Sequence, residues 1–513
     1  MRKQGILMPI SSLPSEYGIG TFGKESYAFV DFLKKAGQRL WQILPLGPTG
    51  YGASPYQAFS TFAGNPYFID LETLVKEGFL TKEECDAVDF GDHPNYVDYG
   101  KLYNGRFPLF RKAWERAIKK GLETQKDYVE FIKKNAFWLD DYAMFMALKD
   151  AFPGKGFMDW EEGLRLRKPL TMAQYQRQLA DEIRCYKFQQ YEFSKQWKAL
   201  KLYANRAGIE IIGDIPIYVA SDSADVWSHP ELFQIDEDGR PIGVAGCPPD
   251  AFSATGQLWG NPLYRWEFHK VTNYAWWYQR LNYCYNLYDI VRLDHFRGFD
   301  EYWFVPYGAQ TAAGGHWEKG PGAELFEILT RKMADRSNKG TGRRGKLADK
   351  KVIAEDLGVL TEGVFRLLEE TDYPGMKVLQ FAFDEGPDGE GMYLPYNYER
   401  NCVVYTGTHD NETTLGWIRN RSKEQNAFLM DYLNCTEEKE LLWAMIRAAI
   451  SSVADTAIIP LQDYLELGNE ARINMPSTLG DNWKWRMSKG DCTEELAQKI
   501  YNLTRTYGRL KDH

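Results

Sequence analysis

Short apolar segments of strand length recur along the whole chain, and helical segments lie between them. Parallel strands are joined by crossovers of a dozen or more residues, usually a helix, so this alternation predicts a parallel sheet. Eight strands, each followed by a helix, predict a closed (β/α)8 TIM barrel; a doubly wound open sheet is the alternative. The predicted strands cover 5–8, 39–44, 209–216, the start of 289–298, 351–358, 376–381, 402–408 and 456–460.

A glycine motif near the N-terminus bears on the open-sheet alternative. The segment Gly18-Ile19-Gly20-Thr21-Phe22-Gly23 matches the G-x-G-x-x-G pattern of dinucleotide-binding proteins. That pattern needs the glycines directly after the first strand and an acidic residue near the end of the next strand. Here nine residues follow Met8 before the first glycine, and the second strand ends in Gln42-Ile43-Leu44. We therefore interpret the glycines as turn residues, which weakens the alternative.

Insertions are predicted within the barrel. Residues 1–70 supply the first two strands, and residues 71–200 become charged and helical, which predicts a helical insertion subdomain. Residues 201–513 continue the barrel with strands three to eight. Within them a loop-rich insertion is predicted at about 225–275, where Pro, Gly and Trp are frequent and helix signals are few. The tail that contains Trp483 is predicted to form closing helices.

Charge and cysteine content argue against several classes of protein. The net charge of −9 and the pI of about 5.5 disfavour a nucleic acid or an anionic membrane surface as partner. No window reaches the roughly 18 apolar residues of a membrane helix. The seven cysteines are scattered and form no C-x-x-C pair, which predicts reduced thiols in the cytoplasm.

The segment 289–298 begins as an apolar strand and ends in charged residues. Because side chains alternate along a strand, Arg292 and Asp294 share one face, while Val291 and Leu293 share the other. An arginine this close favours the ionised form of the aspartate, and an ionised carboxylate can act as a nucleophile. We therefore expect an ionised Asp294 that points into a cleft.

Acidic side chains follow several predicted strands, at the ends that form the active site of a (β/α)8 barrel. They are Asp214 after the third strand, Asp294 after the fourth, Glu355 after the fifth and Asp410 after the seventh. Any one of them alone reads most simply as a helix N-cap or a loop salt bridge. Four together, without a cysteine or histidine cluster, predict glycosyl transfer or hydrolysis, and a divalent metal site is the alternative.

Nine groups of motifs occur in order along the chain. They are Ser11-Ser12-Leu13-Pro14 with Tyr17-Gly18-Ile19-Gly20; Trp41-Gln42 with Leu44-Pro45-Leu46-Gly47-Pro48; Ser54-Pro55-Tyr56-Gln57; Gly213-Asp214-Ile215-Pro216-Ile217-Tyr218; Pro248-Pro249-Asp250; Gln257-Leu258-Trp259-Gly260-Asn261-Pro262; Arg292-Leu293-Asp294-His295-Phe296-Arg297-Gly298; Ala354-Glu355-Asp356-Leu357-Gly358; and Gly407-Thr408-His409-Asp410-Asn411. In this order they resemble glycoside hydrolase family 77 of the α-amylase clan, the 4-α-glucanotransferases or amylomaltases.

The resemblance implies a role for each matching residue. Asp294 would be the nucleophile and Glu355 the general acid/base, while Asp410 would bind the hydroxyls of the distorted sugar. Substrate-binding roles are implied for nine further residues: Arg292, His409, Asp214, Tyr56, Ser54, Asp250, Gln257, Trp259 and Asn474.

The resemblance also implies the reaction. The enzyme would move α-1,4-glucan segments from maltooligosaccharide or starch-derived donors to glucan or glucose acceptors, through a covalent glucosyl-enzyme, without a cofactor or a metal ion. A plain α-glucan hydrolase of the same clan is one alternative, because such enzymes use the same three carboxylates. A non-catalytic glucan-binding protein with a barrel fold is another.

Overall fold

A parallel barrel forms the centre of the molecule in the computed structural model, which describes residues 2–50, 52–249, 253–341, 351–358, 360–383 and 391–510. The strands of the described chain are β1 (Lys3–Leu7), β2 (Leu40–Gln42), β3 (Glu210–Ile215), β4 (Gly243–Cys247), β5 (Gln257–Pro262), β6 (Ile290–Leu293), β7 (Glu301–Pro306), β8 (His316–Lys319), β9 (Lys351–Ala354), β10 (Gly375–Val378), β11 (Cys402–Tyr405) and β12 (Thr456–Pro460).

Eight of these strands pair in parallel in the order β10-β11-β12-β1-β2-β3-β6-β9. The two end strands meet where the Ala354 N–H donates to the Pro374 carbonyl at 3.0 Å. The predicted (β/α)8 barrel is therefore confirmed, with all eight predicted strands present. Several are shorter than predicted. The sixth ends at Val378 and continues as the 3-10 helix Leu379–Phe383.

α-Helices lie between most successive barrel strands and are most numerous between β2 and β3, whereas between β10 and β11 the described residues form only 3-10 helices. They are α1 (Lys24–Lys35), α2 (Leu71–Lys76), α3 (Lys82–Asp86), α4 (Tyr99–Lys119), α5 (Lys126–Ala151), α6 (Glu162–Arg165), α7 (Pro169–Gln178), α8 (Ala180–Arg206), α9 (Ala224–Ser228), α10 (Trp266–Val271), α11 (Ala275–Leu287), α12 (Gly322–Thr341), α13 (Glu362–Thr371), α14 (Thr414–Asn420), α15 (Lys423–Leu433), α16 (Leu441–Ser451), α17 (Leu461–Tyr464) and α18 (Glu494–Thr506).

A second, antiparallel sheet stands beside the barrel, with the strand order β5-β4-β7-β8. Two of its strands, β4 and β5, lie in the segment that the sequence predicts as loop-rich, so this segment has more regular structure than expected. The glycines of β4 and β5 and the proline at the end of β5 are unfavourable in strands, so the sequence did not predict strands here. The two strands form because β4 also pairs with β7, which lies far along the chain. The β4–β5 hairpin faces the mouth of the barrel and helps to form the site described below.

Close packing fixes the position of β3 next to the site. A Cβ atom at Gly213 would lie 2.1 Å from the ring of Tyr288, which closes the turn before β6. Only glycine therefore allows the Tyr288 ring to pack here, directly before Asp214. Elsewhere, all seven cysteines are free, and no described helix is long and apolar enough to span a membrane.

A buried arginine closes the end of the barrel opposite the site. Arg509 follows α18, has 0% exposure, and donates hydrogen bonds to five backbone carbonyls. These belong to Ile450, Lys3, Asp455, Ser452 and Ala454, at 2.7 to 3.4 Å. The side chain thus joins the C-terminal segment to the first strand and to the loop before the last strand.

Arg509→Ala is expected to lower the free energy of unfolding by about 3 kcal/mol or more, because it leaves several buried carbonyls without a donor. The urea midpoint, followed by tryptophan fluorescence, measures this loss. Arg505→Ala, on the exposed side of α18, is the matched control and should leave the midpoint nearly unchanged. Equal midpoints for both variants would show that Arg509 does not stabilise the barrel end.

Candidate active site

A cavity of about 630 Å³ opens at the carboxyl ends of the barrel strands. Its wall includes three carboxylates that follow three different strands: Asp294 after β6, Glu355 after β9 and Asp410 after β11. The remaining predicted residues in the wall are Ser54, Tyr56, Gln257, Trp259 and Asn474. Residues as far apart in the sequence as Ser54 and Asn474 thus meet around one space, as the closed barrel requires.

Asp294 is held at the end of β6 by its backbone and by an arginine. Its N–H donates to the Ile215 carbonyl at 3.0 Å, and its carboxylate lies 3.0 Å from Arg292 Nη1. The next residue, His295, has a φ of 51°, so the chain turns sharply away after the strand. The Asp294 side chain remains 27% exposed, and that exposed part faces the cavity.

Glu355 makes four hydrogen bonds, three of them to residues around the same turn. Its backbone N–H donates to the Leu293 carbonyl, and its carbonyl accepts from the Phe296 N–H, both at 3.0 Å. Its carboxylate accepts from the N–H groups of His295 at 2.7 Å and Leu357 at 2.8 Å. The ends of β6 and β9 therefore form one rigid unit that sets the spacing between Glu355 and Asp294.

Burial governs the protonation of this pair. It raises the pKa of both Asp294 and Glu355 above the usual carboxyl range, and the charge of Arg292 opposes the rise for each. The expectation that the arginine alone keeps Asp294 ionised is therefore incomplete. Burial favours the protonated form of Glu355, and the direct contact with Arg292 favours the anion on Asp294.

A charged cluster lies behind the cavity wall. Both oxygens of Asp214 accept from Arg292 Nη1, at 2.8 and 2.7 Å, and the Tyr56 hydroxyl donates to Asp214 at 2.6 Å. Arg292 is 4% exposed and Asp214 is fully buried, so neither lines the cavity. The structure thus places these two predicted substrate-binding residues where they orient Tyr56 and Asp294.

Asp410 is oriented from both sides. Asn474 Nδ2 donates to one carboxylate oxygen at 2.6 Å, and His409 Nε2 lies 3.3 Å from the other. Burial alone would raise the pKa of Asp410, but His409 and Asn474 outweigh it and hold the pKa at about 2. The His409 ring is buried and stacks against Tyr56, at 5.4 Å between ring centroids. Asp410 therefore presents an ionised carboxylate to the cavity near neutral pH.

The β4–β5 hairpin covers one side of the cavity. Trp259 meets the His295 ring edge-on at 4.8 Å, and its Nε1 donates to Gln257 at 3.1 Å. An indole held in this way presents an apolar surface to the cavity. The predicted residue Asp250 and its neighbour Phe252 lie outside the described residues.

Sequence reasoning missed several cavity residues. Trp483 belongs to the tail predicted to be helical, but that prediction is wrong here: residues 482–487 form a loop, and Trp483 lies in the cavity wall near Tyr56. Gln57 and Asn261 also line the cavity and bond to each other at 3.1 Å. Gln57 and Asn261 belong to the motifs of the family resemblance and could have been predicted from them. For Trp483 the only indication in the sequence was its aromatic side chain.

The residues that the structure describes contain no group of three or more His, Cys, Asp or Glu side chains arranged to hold a metal ion.

Comparison with known proteins gives a consistent result. Residues 8–493 match the profile of a family described as 4-alpha-glucanotransferase, glycoside hydrolase family 77. A 4-alpha-glucanotransferase of Clostridium butyricum is 50% identical over 98% of this chain and 100% of its own length, and one of Streptococcus pneumoniae is 46% identical over 100% and 98%. The amylomaltase of Streptococcus agalactiae, solved with acarbose, superposes with a TM-score of 0.94 at 41% identity over the whole of both chains.

Proposed function

Because the chain belongs to the 4-alpha-glucanotransferase family, glycoside hydrolase family 77, we propose that its cavity transfers glucan segments by a retaining double displacement. The enzyme is a glycosyltransferase that acts on α-1,4-glucans. The observation that carries the proposed mechanism is the meeting of Asp294, Glu355 and Asp410 around one cavity. Paired carboxylates at a scissile bond are the groups that this chemistry needs.

The first step breaks the donor chain. Asp294 attacks the anomeric carbon of the glucosyl unit, so an ester bond forms as the bond to the glycosidic oxygen breaks. Glu355 gives its proton to that oxygen, and the reducing-end fragment leaves as a neutral alcohol. Arg292 stabilises the Asp294 carboxylate before attack, since its guanidinium lies 3.0 Å away.

The second step restores an α-1,4 bond. Glu355, now ionised, takes the proton of the 4-hydroxyl of an acceptor glucan, and that oxygen attacks the anomeric carbon. The ester bond to Asp294 breaks, and both carboxyl groups return to their starting states. The backbone contacts from His295 and Leu357 keep the Glu355 carboxylate in place through both steps.

Other cavity residues would bind the glucan. Asp410, held ionised between His409 and Asn474, would accept hydrogen bonds from hydroxyls of the sugar at the reaction centre. Trp259 would stack against a neighbouring sugar ring and exclude water. We propose maltooligosaccharides and amylose as donors, with maltooligosaccharides or glucose as acceptors. We also propose that the enzyme works in the cytoplasm, where its seven free thiols stay reduced.

Incubation with maltotriose tests this function. Transfer is expected to give glucose together with maltopentaose and longer chains, because one maltotriose donates a segment to another. Hydrolysis would give only maltose and glucose, and a binding protein would leave maltotriose unchanged. Chromatography of the products over time separates the three outcomes, and the hydrolytic or the unchanged pattern would overturn the proposal.

A further inference from the structure

One arginine outside the cavity connects two loops that form its wall. Arg472 Nη2 donates to the Asp410 carbonyl and its Nε donates to the Asn474 carbonyl, each at 2.8 Å. These acceptors belong to the loop after β11 and to the segment after α17. The side chains of the same two residues bond to each other at 2.6 Å, and the Asn474 N–H donates to the His409 carbonyl at 3.1 Å.

The loop that carries Asn474 is held mainly by hydrogen bonds within itself, between Asn482 and both Met475 and Thr478. Residues 475–481 are exposed and lie outside helices and strands, so few packed apolar contacts restrain them. Arg472 lies at the start of this loop, where the chain leaves the buried residues Ala471 and Ile473. Its planar guanidinium holds two carbonyls at a set separation, which a flexible side chain with one point charge cannot do.

We propose that Arg472 is a positioning residue for glucan transfer, which keeps the Asn474 amide on the Asp410 carboxylate. It does not line the cavity, so it acts through these two residues and does not contact the sugar. The inference rests on the proposed function, in which Asp410 binds hydroxyls of the reacting sugar. Without the arginine the Asn474 backbone keeps its bond to the His409 carbonyl, but its side-chain amide is free to leave the Asp410 carboxylate, which would then keep only its contact to His409.

Loss of Arg472 is expected to affect the rate of glucan transfer more than the binding of maltotriose. The distorted sugar of the transition state demands a narrower geometry from Asp410 than the bound substrate does. A displacement of about 1 Å far from the reacting atoms can cost about 10²-fold in rate. We therefore expect Arg472→Ala to lower kcat for maltotriose transfer by about 10- to 100-fold, with a change in KM of less than about threefold.

The test uses four variants of the full chain, Arg472→Ala, Arg472→Lys, Asn474→Ala and the double variant Arg472→Ala with Asn474→Ala. Lysine supplies only one of the two contacts, so Arg472→Lys should recover part of the lost kcat. In the Asn474→Ala background, Arg472→Ala should have a smaller effect than in the wild type, because the amide that the arginine holds on the Asp410 carboxylate is already absent. Arg2→Ala is the control: Arg2 also donates to backbone carbonyls, those of Tyr507, Ile450 and Ser452, but at the opposite end of the barrel.

Arg2→Ala is expected to lower the thermal midpoint about as much as Arg472→Ala while kcat stays near the wild-type value. Equal kcat in the two variants, or independent effects of Arg472→Ala and Asn474→Ala, would overturn the positioning role. Failure of the proposed function looks different: the wild-type chain itself would form no longer glucans from maltotriose, and both proposals would fall. If the wild type transfers and Arg472→Ala transfers equally well, only the role of Arg472 is lost.

Discussion

Asp294→Ala is expected to lower kcat for maltotriose transfer by on the order of 10⁴-fold or more, since it removes the carboxylate proposed to bond to the anomeric carbon. Glu355 cannot replace it, because three hydrogen bonds fix that residue to the end of β6 and a fourth, from Leu357, holds its carboxylate. Asp410 is likewise bound on both of its carboxylate oxygens by neighbouring side chains. No other described carboxylate in the cavity wall is available for the attack.

Mass spectrometry measures the same prediction directly. Wild-type protein quenched with acid during turnover of α-maltosyl fluoride should carry a glycosyl adduct on the peptide that contains Asp294, and Asp294→Ala should carry none. Asp300→Ala is the matched control, because Asp300 follows the same strand but does not line the cavity. It should keep the adduct and most of the rate. An adduct on Asp294→Ala, or a rate near that of the wild type, would assign the nucleophile elsewhere.

The barrel could be predicted because its strands carry their own signal. Ile211 and Ile212 in β3, or Val403 and Val404 in β11, are β-branched residues buried on both faces, as parallel strands require. The acidic residues after these strands then fall at one end of the barrel by topology alone. That is why Asp294, Glu355 and Asp410 could be placed together before their contacts were known.

The second sheet could not be predicted in the same way. Gly246 in β4 pairs with Leu258 on one side and with Trp303 on the other, so its place in a strand depends on residues far along the chain. Local propensity disfavours glycine in a strand, and pairing overrides it. Trp483 was missed for a related reason: only the folded chain brings its loop to within reach of Tyr56, at 5.8 Å between rings.

The charge interactions around Asp294 could not be predicted fully from the sequence either. Adjacency in sequence indicated an Arg292–Asp294 pair, but both oxygens of the buried Asp214 also accept from Arg292. One guanidinium therefore serves two carboxylates, and burial offsets its effect on the Asp294 pKa. The sequence could indicate which charged groups come together. It could not indicate their pKa values, because these depend on how deeply each group is buried.

Glu355→Gln is expected to reduce maltotriose transfer by about 10²- to 10⁴-fold, the usual contribution of general acid–base catalysis. Transfer from α-maltosyl fluoride to azide should stay near the wild-type rate, because fluoride leaves without a proton and azide has none to lose. Glu362→Gln, on the exposed first turn of the helix that follows the same strand, is the matched control and should leave both reactions unchanged. The ratio of the two reactions therefore separates lost proton transfer from a distorted site.

The pH dependence supplies a further test of Glu355. Burial raises its pKa, so the protonated form that the first step needs persists above the usual carboxyl range and is lost as the pH rises through that pKa. The wild-type rate with maltotriose should therefore fall on the alkaline side. Glu355→Gln cannot titrate at this position, so its residual rate with the fluoride donor should lack that fall. If the alkaline decline persisted in the variant with this donor, another group would cause it, and Glu355 would not be the residue that supplies the proton.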